Sequence, residues 1–295
     1  MIRGKGDKIF EGVCIALAVL LAILCLYPLL YTFGVSIVSE AEWAGRNGIL
    51  ILFPTHPTFV AYQKIFGVGS YVLKALGVSL LRAVVGTVTS VVINALVGYI
   101  LSRDNFPGKQ IYIYFLLFTI FFSGGLIPNY LVNKELNLLN NFWVMILPNI
   151  VSAWNILIFK QFFLGLPKEV EEAAIIDGIG ELGLFLRIVL PLSTPVVASI
   201  GLFTMVGHWN SWFDVMIYID QAHSQLWTLQ YYIMINFNNL SQVDSTVIDI
   251  NAGGSVNQLT TRMALTIVGF VPILCIYPFF QKFFKDGVYM GAVKG

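Results

Sequence analysis

The sequence predicts an all-α, polytopic membrane protein with six transmembrane helices, and three observations carry that expectation. Charged residues make up 11% of the 295 and apolar ones 57%, whereas an ordinary soluble domain is about 25% charged. Mean hydropathy is +0.80. Six apolar stretches, at about 9–38, 71–101, 111–132, 142–162, 193–219 and 263–284, each reach the roughly 20 residues a helix needs to cross a bilayer core. The formal net charge is +1, with no dense basic run to track a phosphate backbone, so nucleic acid is not an expected partner.

The first stretch follows Arg3, Lys5 and Lys8, a start that imitates a secretory signal. It runs too long for one and lacks a small-residue cleavage site, so a retained helix is expected. Residues 1–70 then form an N-terminal transmembrane helix and outer loop, residues 71–285 a transmembrane core, and residues 286–295 a cytoplasmic tail. Asn105, Pro107 and Gly108 mark a tight turn after the second stretch. The pieces Gly48–Pro54 and Leu226–Ile235 are apolar but too short to cross, and are expected at the interface or as packed loop elements. Cys14, Cys25 and Cys275 all fall in apolar stretches without zinc or disulfide spacing, so they are expected as lipid-facing or packed thiols, with no metal site.

Orientation follows from Lys and Arg, which concentrate in cytoplasmic loops. An internal N-terminus places Arg3, Lys5, Lys8, Arg103, Lys109, Lys160, Lys168, Arg187, Lys282, Lys285 and Lys294 inside, against Arg46, Lys64, Lys74, Lys134 and Arg262 outside. Six spans return the C-terminus to the same side, so both termini are expected in the cytoplasm.

The inner loop 161–192 reads as two short helices around a turn. Pro167 suits a first helical turn, and Glu169, Glu171 and Glu172 favour its positive dipole end. Gly178, after Asp177, is placed to end the first helix in a left-handed conformation. The second helix is expected to run from about Glu181 to Pro191, where the ring removes a donor and redirects the chain. Ala173 and Ala174 thin one face so that a foreign groove could approach closely, with Val170 and Ile175 as apolar contacts.

Within that loop Glu172, Ala173, Ala174, Gly178, Ile188, Leu190 and Pro191 match the EAA loop of ABC importer permeases at its fixed positions and spacing. The chain resembles that family over nearly its whole length, and more closely its carbohydrate permeases, of the kind that form the second permease of a maltose-type importer. The further marks are Leu101-Ser102-Arg103 with Phe106-Pro107-Gly108, the run Phe122 to Pro128, Trp209 to Asp214, and the ending Gly291 to Gly295. The resemblance implies a type I ABC importer permease fold in the cell membrane and a coupling helix held in a cleft of a cytoplasmic ATPase. It implies a second, homologous permease, two ATPase subunits, an external sugar-binding protein and an oligosaccharide or polysaccharide-fragment cargo moved by alternating access. No cofactor is expected on this chain; ATP and Mg belong to the ATPase.

Arg82 sits mid-span, where an uncompensated charge costs at least ~2.5 kcal/mol, so it must face protein or a watery path. It is either a donor to sugar hydroxyls or an anchor pairing with a carbonyl or an acid such as Asp214. Asn94, His208, Asn210 and Trp212 are candidates for the same path, since sugar sites combine aromatic faces with hydroxyl-bonding groups; the alternative is helix-to-helix hydrogen bonding. Gly253 and Gly254, in a small-residue outer segment, are candidates for contact with the binding protein, and a solvated connection is the alternative.

Other function classes lack their chemistry. The chain has no Gly-x-x-x-x-Gly-Lys-Ser/Thr loop for a nucleotide, so an ATPase acting alone is not expected. A membrane enzyme is disfavoured by the absence of His-Glu-x-x-His and Gly-x-Ser-x-Gly, and a proton-coupled secondary transporter by the scarcity of acids within spans. An ABC permease for a non-sugar solute is the nearer alternative.

Overall fold

The computed structural model describes residues 5–46, 52–67, 70–238 and 258–292. Among them the regular structure is helical, with one isolated bridge between Val38 and Pro57. In order, the helices are α1 (Lys5–Ser36), α2 (Glu40–Gly45), α3 (Val60–Ile65), α4 (Tyr71–Ser102), α5 (Lys109–Phe121), α6 (Leu126–Glu135), α7 (Ala153–Leu164), α8 (Lys168–Ile176), α9 (Glu181–Leu184), α10 (Leu190–Leu192), α11 (Thr194–Asn210), α12 (Phe213–Tyr218), α13 (Leu229–Asn238) and α14 (Gln258–Ala292). Two 3-10 turns, Phe142–Met145 and Leu147–Asn149, precede α7, and a π turn, Phe185–Val189, joins α9 to α10.

Among the described residues, three helices are long and apolar enough to cross a membrane unbroken: Lys8–Ser36, Tyr71–Ser102 and Leu259–Gln281. Three bent pairs bring the total to six, with bends of 116° between α5 and α6, 51° before α7 and 81° before α11. With each bent pair counted as one span, the described residues match the six-span expectation, and half of those spans are broken. Each break has a local cause. Phe122 goes extended and Gly125 takes φ 82° between α5 and α6, a conformation open to glycine. Pro148 occupies the second 3-10 turn, and Ser152 caps α7 by accepting from Asn155 N–H. Pro195, with no N–H, stands in the first turn of α11 beyond the bend at Ser193.

The chain divides into two compact units, Met1–Ser70 with Ile235–Val271, and Tyr71–Met234 with Pro272–Gly295. In the first, Val35 and Val38 form a small core with Tyr31, Trp43, Leu259 and Met263 around it. Ser36 Oγ and Tyr62 Oη lie 2.8 Å apart, tying α1 to α3. Most of α1 shows large apolar side chains on its surface, Ile9, Phe10 and Leu24 among them, as a helix surrounded by lipid does. Cys14 and Cys25 lie on the same exposed surface, and Cys275 is likewise exposed on α14.

The second unit is organised around α4, which packs along α7 and α11. Small residues permit these crossings. A Cβ at Gly98 would stand 2.7 Å from Phe159 Cβ and 3.0 Å from Ile156 O, and one at Gly86 would stand 2.5 Å from His208 Nε2. The short apolar piece around 226–235 is a packed element, as expected: Leu229 is buried and its N–H donates to Ser79 Oγ on α4 at 2.8 Å.

Candidate functional site

Two features of the second unit carry chemistry: the hairpin after α7 and a polar cavity against α4. The hairpin begins at Pro167, whose φ of −61° and ψ of 123° make it the cap before α8 rather than a residue of the first turn. Gly178 takes φ +80°. Around it Gly178 N–H donates to Ile175 O and Ile179 N–H to Ala174 O, both at 3.0 Å, the paired bonds of a Schellman stop. The chain then runs through α9, the π turn and α10. It redirects at Ser193, two residues beyond the expected Pro191, because the π turn takes up the ring: Leu190 N–H reaches back to Phe185 O.

The hairpin is docked on its own chain. Ala174, Leu184, Phe185 and Val189 are buried together with Ala95, Tyr99, Phe159, Phe163, Val196 and Ile200, and Ile188 and Leu190 pack at the edge. This corrects one expectation, that Ala173 and Ala174 share a thin outward face. Ala174 is 4% exposed and turned inward, because it falls on the face of α8 that joins the buried cluster holding Tyr99 and Phe163. Ala173, Glu172, Val170, Ile175, Ile176, Gly178 and Pro191 remain exposed, Ile176 at 85%.

Charges fix the hairpin's rim. Arg103, just past α4, donates to Glu171 on α8 and, at 3.2 Å, to Glu181 Oε1 at the start of α9. Tyr99 Oη donates to Glu181 Oε2 at 2.7 Å, and the Arg103 guanidinium lies 5.2 Å from the Tyr99 ring centre. The Tyr99 hydroxyl, followed by Arg103, holds the Glu181 carboxyl below its ordinary 4.5 against the opposing effect of burial. Lys168 Nζ, 3.1 Å from Asp104, lowers that carboxyl in turn.

The cavity has a volume of about 330 Å³ and is lined by Arg82, Asn149, Ser152, Asn155, Thr204 and His208, with Ser90, Phe203, Gly207 and Ser211 completing the wall. Arg82 is the anchor of the sequence reading and also reaches the wall. Its side chain, 2% exposed, pairs with Asp214 through both terminal nitrogens and donates to Ser211 O at 3.2 Å and Met145 O at 3.3 Å. Asp214 also accepts from Ser211 Oγ and Val215 N–H.

Of the other path candidates, His208 lines the cavity and three do not. Asn94 is fully buried, and its amide is consumed: it donates to Ser90 and to Ile150 O at 3.0 Å and accepts from Ser152 N–H at 2.8 Å. It satisfies backbone groups freed where the fourth span breaks, the helix-bonding alternative. Asn210 is exposed outside the cavity, and Trp212 packs edge-on to Phe213 at 5.8 Å because the chain turns extended at Ser211. Sequence reasoning missed Asn149, Ser152, Asn155 and Thr204; polar residues recurring within apolar stretches four and five were the available signal. Gly253 and Gly254 lie outside the described residues.

No protein-family model matches the chain. It is 35% identical over 289 residues to the polygalacturonan/rhamnogalacturonan transport system permease protein YtcP of Bacillus subtilis, covering 98% of this chain and 99% of that one. It is 30% identical to the arabinooligosaccharides transport system permease protein AraQ of Halalkalibacterium halodurans, covering 93% of each. Among solved structures, it matches a chain of a bacterial ABC transporter involved in the import of the acidic polysaccharide alginate, with a TM-score of 0.86, 26% identity and coverage of 96% and 99%. Whole-length identity with such proteins, over a helical fold of the same shape, means that the chain belongs to the carbohydrate transport-system permeases of ABC importers.

Proposed function

We propose that this chain is one permease subunit of an importer that carries an oligosaccharide or polysaccharide fragment across the cell membrane by alternating access. A second, homologous permease would close the path, an external sugar-binding protein would deliver cargo, and two cytoplasmic ATPase subunits would bind ATP and Mg and supply the work. As a permease the chain is a transport component, and hydrolysis belongs to the separate ATPase chains. The excess of Lys and Arg in the loops of one side supports a cytoplasmic location for the hairpin and both termini.

The observation that carries the reading is the division of α8 into two faces. Ala174 is locked into the chain's own core, while Val170, Glu172, Ala173 and Ile176 stand outward, leaving an apolar ridge with an acid beside it for a socket on another protein. The cavity supports the cargo class: its neutral donors and acceptors, Asn149, Ser152, Asn155 and Thr204, suit hydroxyl groups, and its cation is already neutralised by Asp214. The test is purification of the tagged chain from its native membrane. An ATPase subunit is expected to accompany it, and Ile176→Asp to weaken that association. A chain that purifies without any ATPase, or an Ile176→Asp variant that retains it fully, refutes the reading.

A further inference from the structure

We propose that Arg103 is a positioning residue for transport: it makes the hairpin and α4 move as one body, so that a push on α8 is delivered along α4 to the cavity. The inference rests on the importer reading and goes beyond the EAA residues, none of which is Arg103 or either of its acidic partners.

The seam of Ala174, Leu184 and Phe185 against Tyr99, Phe159 and Phe163 resists separation, but apolar contact is non-directional and tolerates sliding and rotation. A planar guanidinium fork does not. Arg103 uses its two terminal nitrogens on two different arms, Glu171 before the Gly178 turn and Glu181 after it, so one cation pins both sides of the hairpin to the end of α4. Glu181 is held at its second oxygen by Tyr99, which itself belongs to α4. Rotation of α8 about its own axis, or slippage of α9 along α4, breaks at least one of these bonds. The Arg103 and Glu171 side chains are 24% and 20% exposed, which shields their pair from salt better than an open surface bridge. Without Arg103, two carboxylates face each other across the hairpin with no cation between them, and they repel.

The experiment uses the complete importer, with partner permease and ATPase subunits, in lipid nanodiscs. Cys14, Cys25 and Cys275 are replaced by Ser, and Thr204→Cys in the cavity wall reports access through its rate of modification by a water-soluble maleimide, without nucleotide and after trapping with ATP and vanadate. The background is expected to change its rate by about five-fold or more, the lower range of coupling between sites. Arg103→Gln is expected to hydrolyse ATP with that change abolished. Arg103→Lys, a point charge that serves one carboxylate at a time, should keep part of it. The exchange Arg103→Glu with Glu171→Arg keeps two acids and one base at the same place and should restore most of it. A full change in Arg103→Gln, or no recovery in the exchange, overturns the proposal. If Arg103→Gln does not assemble, Glu171→Gln, which removes one bond and leaves the apolar seam intact, is read by the same criterion. A background with no nucleotide-dependent change overturns the importer reading, and this inference with it, whereas a responsive background with an equally responsive Arg103→Gln overturns the clamp alone.

Discussion

Replacing Asp214 by alanine leaves the Arg82 cation in a site where its side chain is 2% exposed. Breaking a buried pair from one side costs about 3–5 kcal/mol, because the remaining charge has lost both water and its partner. Here the lower end, about 3 kcal/mol, is expected, since Arg82 keeps the carbonyls of Met145 and Ser211 and stands at the wall of a cavity that admits water. The double variant Arg82→Met with Asp214→Leu removes both charges together and leaves no unpaired ion, only the carbonyls of Met145 and Ser211 without their donor, so its loss is expected to fall well below the sum of the two single losses. The two substitutions should thus be non-additive by about 2 kcal/mol or more, as contacting residues are. The assay is an SDS-induced unfolding titration of the detergent-solubilised chain, run on Asp214→Ala, on Arg82→Met and Asp214→Leu singly, and on the double. Loss of less than about 1 kcal/mol in Asp214→Ala, or a double variant whose loss equals the sum of the singles, refutes the argument that this pair anchors the span.

Gly98→Ala forces a methyl to within 2.7 Å of Phe159 Cβ, so overpacking should cost about 1–3 kcal/mol in the same titration, with α4 and α7 parting first by hydrogen exchange. Gly178→Ala must hold a left-handed conformation at φ +80° and should lose about 1–2 kcal/mol of hairpin stability, Gly178→Asn less, as read by hydrogen exchange of Gly178's neighbours. The lowered Glu181 carboxyl binds fewer protons in the docked hairpin than in the free one, so its stabilisation is complete above 4.5 and disappears as pH falls through the lowered value. Exchange protection of α8, corrected for intrinsic rates, should therefore begin to fall as pH drops below about 4.5, and Glu181→Gln should weaken that dependence.

The number of spans was legible because the length of an apolar stretch answers directly to bilayer thickness. The breaks were not, since Gly124-Gly125, Ser152 and Ser193 interrupt a helix without interrupting hydropathy. Gly178 was legible as a stop because a left-handed residue after Asp177 is a local requirement. The inward turn of Ala174 was not, because two adjacent alanines look alike until the phase of α8 against α4 is known. Arg82 could be paired with Asp214 in advance, since a mid-span cation needs an acid and few were within reach. A neutral amide offers no such constraint, and Asn94 and Asn155 differ only in what the packing places beside them: broken backbone for one, open space for the other.

That difference bears on how the site can move. Arg82 and Arg103 are 21 positions apart, about 30 Å along a helix. Between them α4 supplies the groups that broken neighbours need: Asn94 for Ile150 O and Ser152 N–H, Arg82 for Met145 O and Ser211 O. Leaving such backbone groups unpaired in an apolar surround costs several kcal/mol each. When α4 shifts, it is cheaper for these segments to follow than to stay behind. Ser152 and Ser211 are at once the tied points and part of the cavity wall, and Asn149 sits one residue before a tied carbonyl. On the proposed coupling, a displacement applied at the hairpin reshapes the cavity, because the side chains that complete the broken spans are carried by α4.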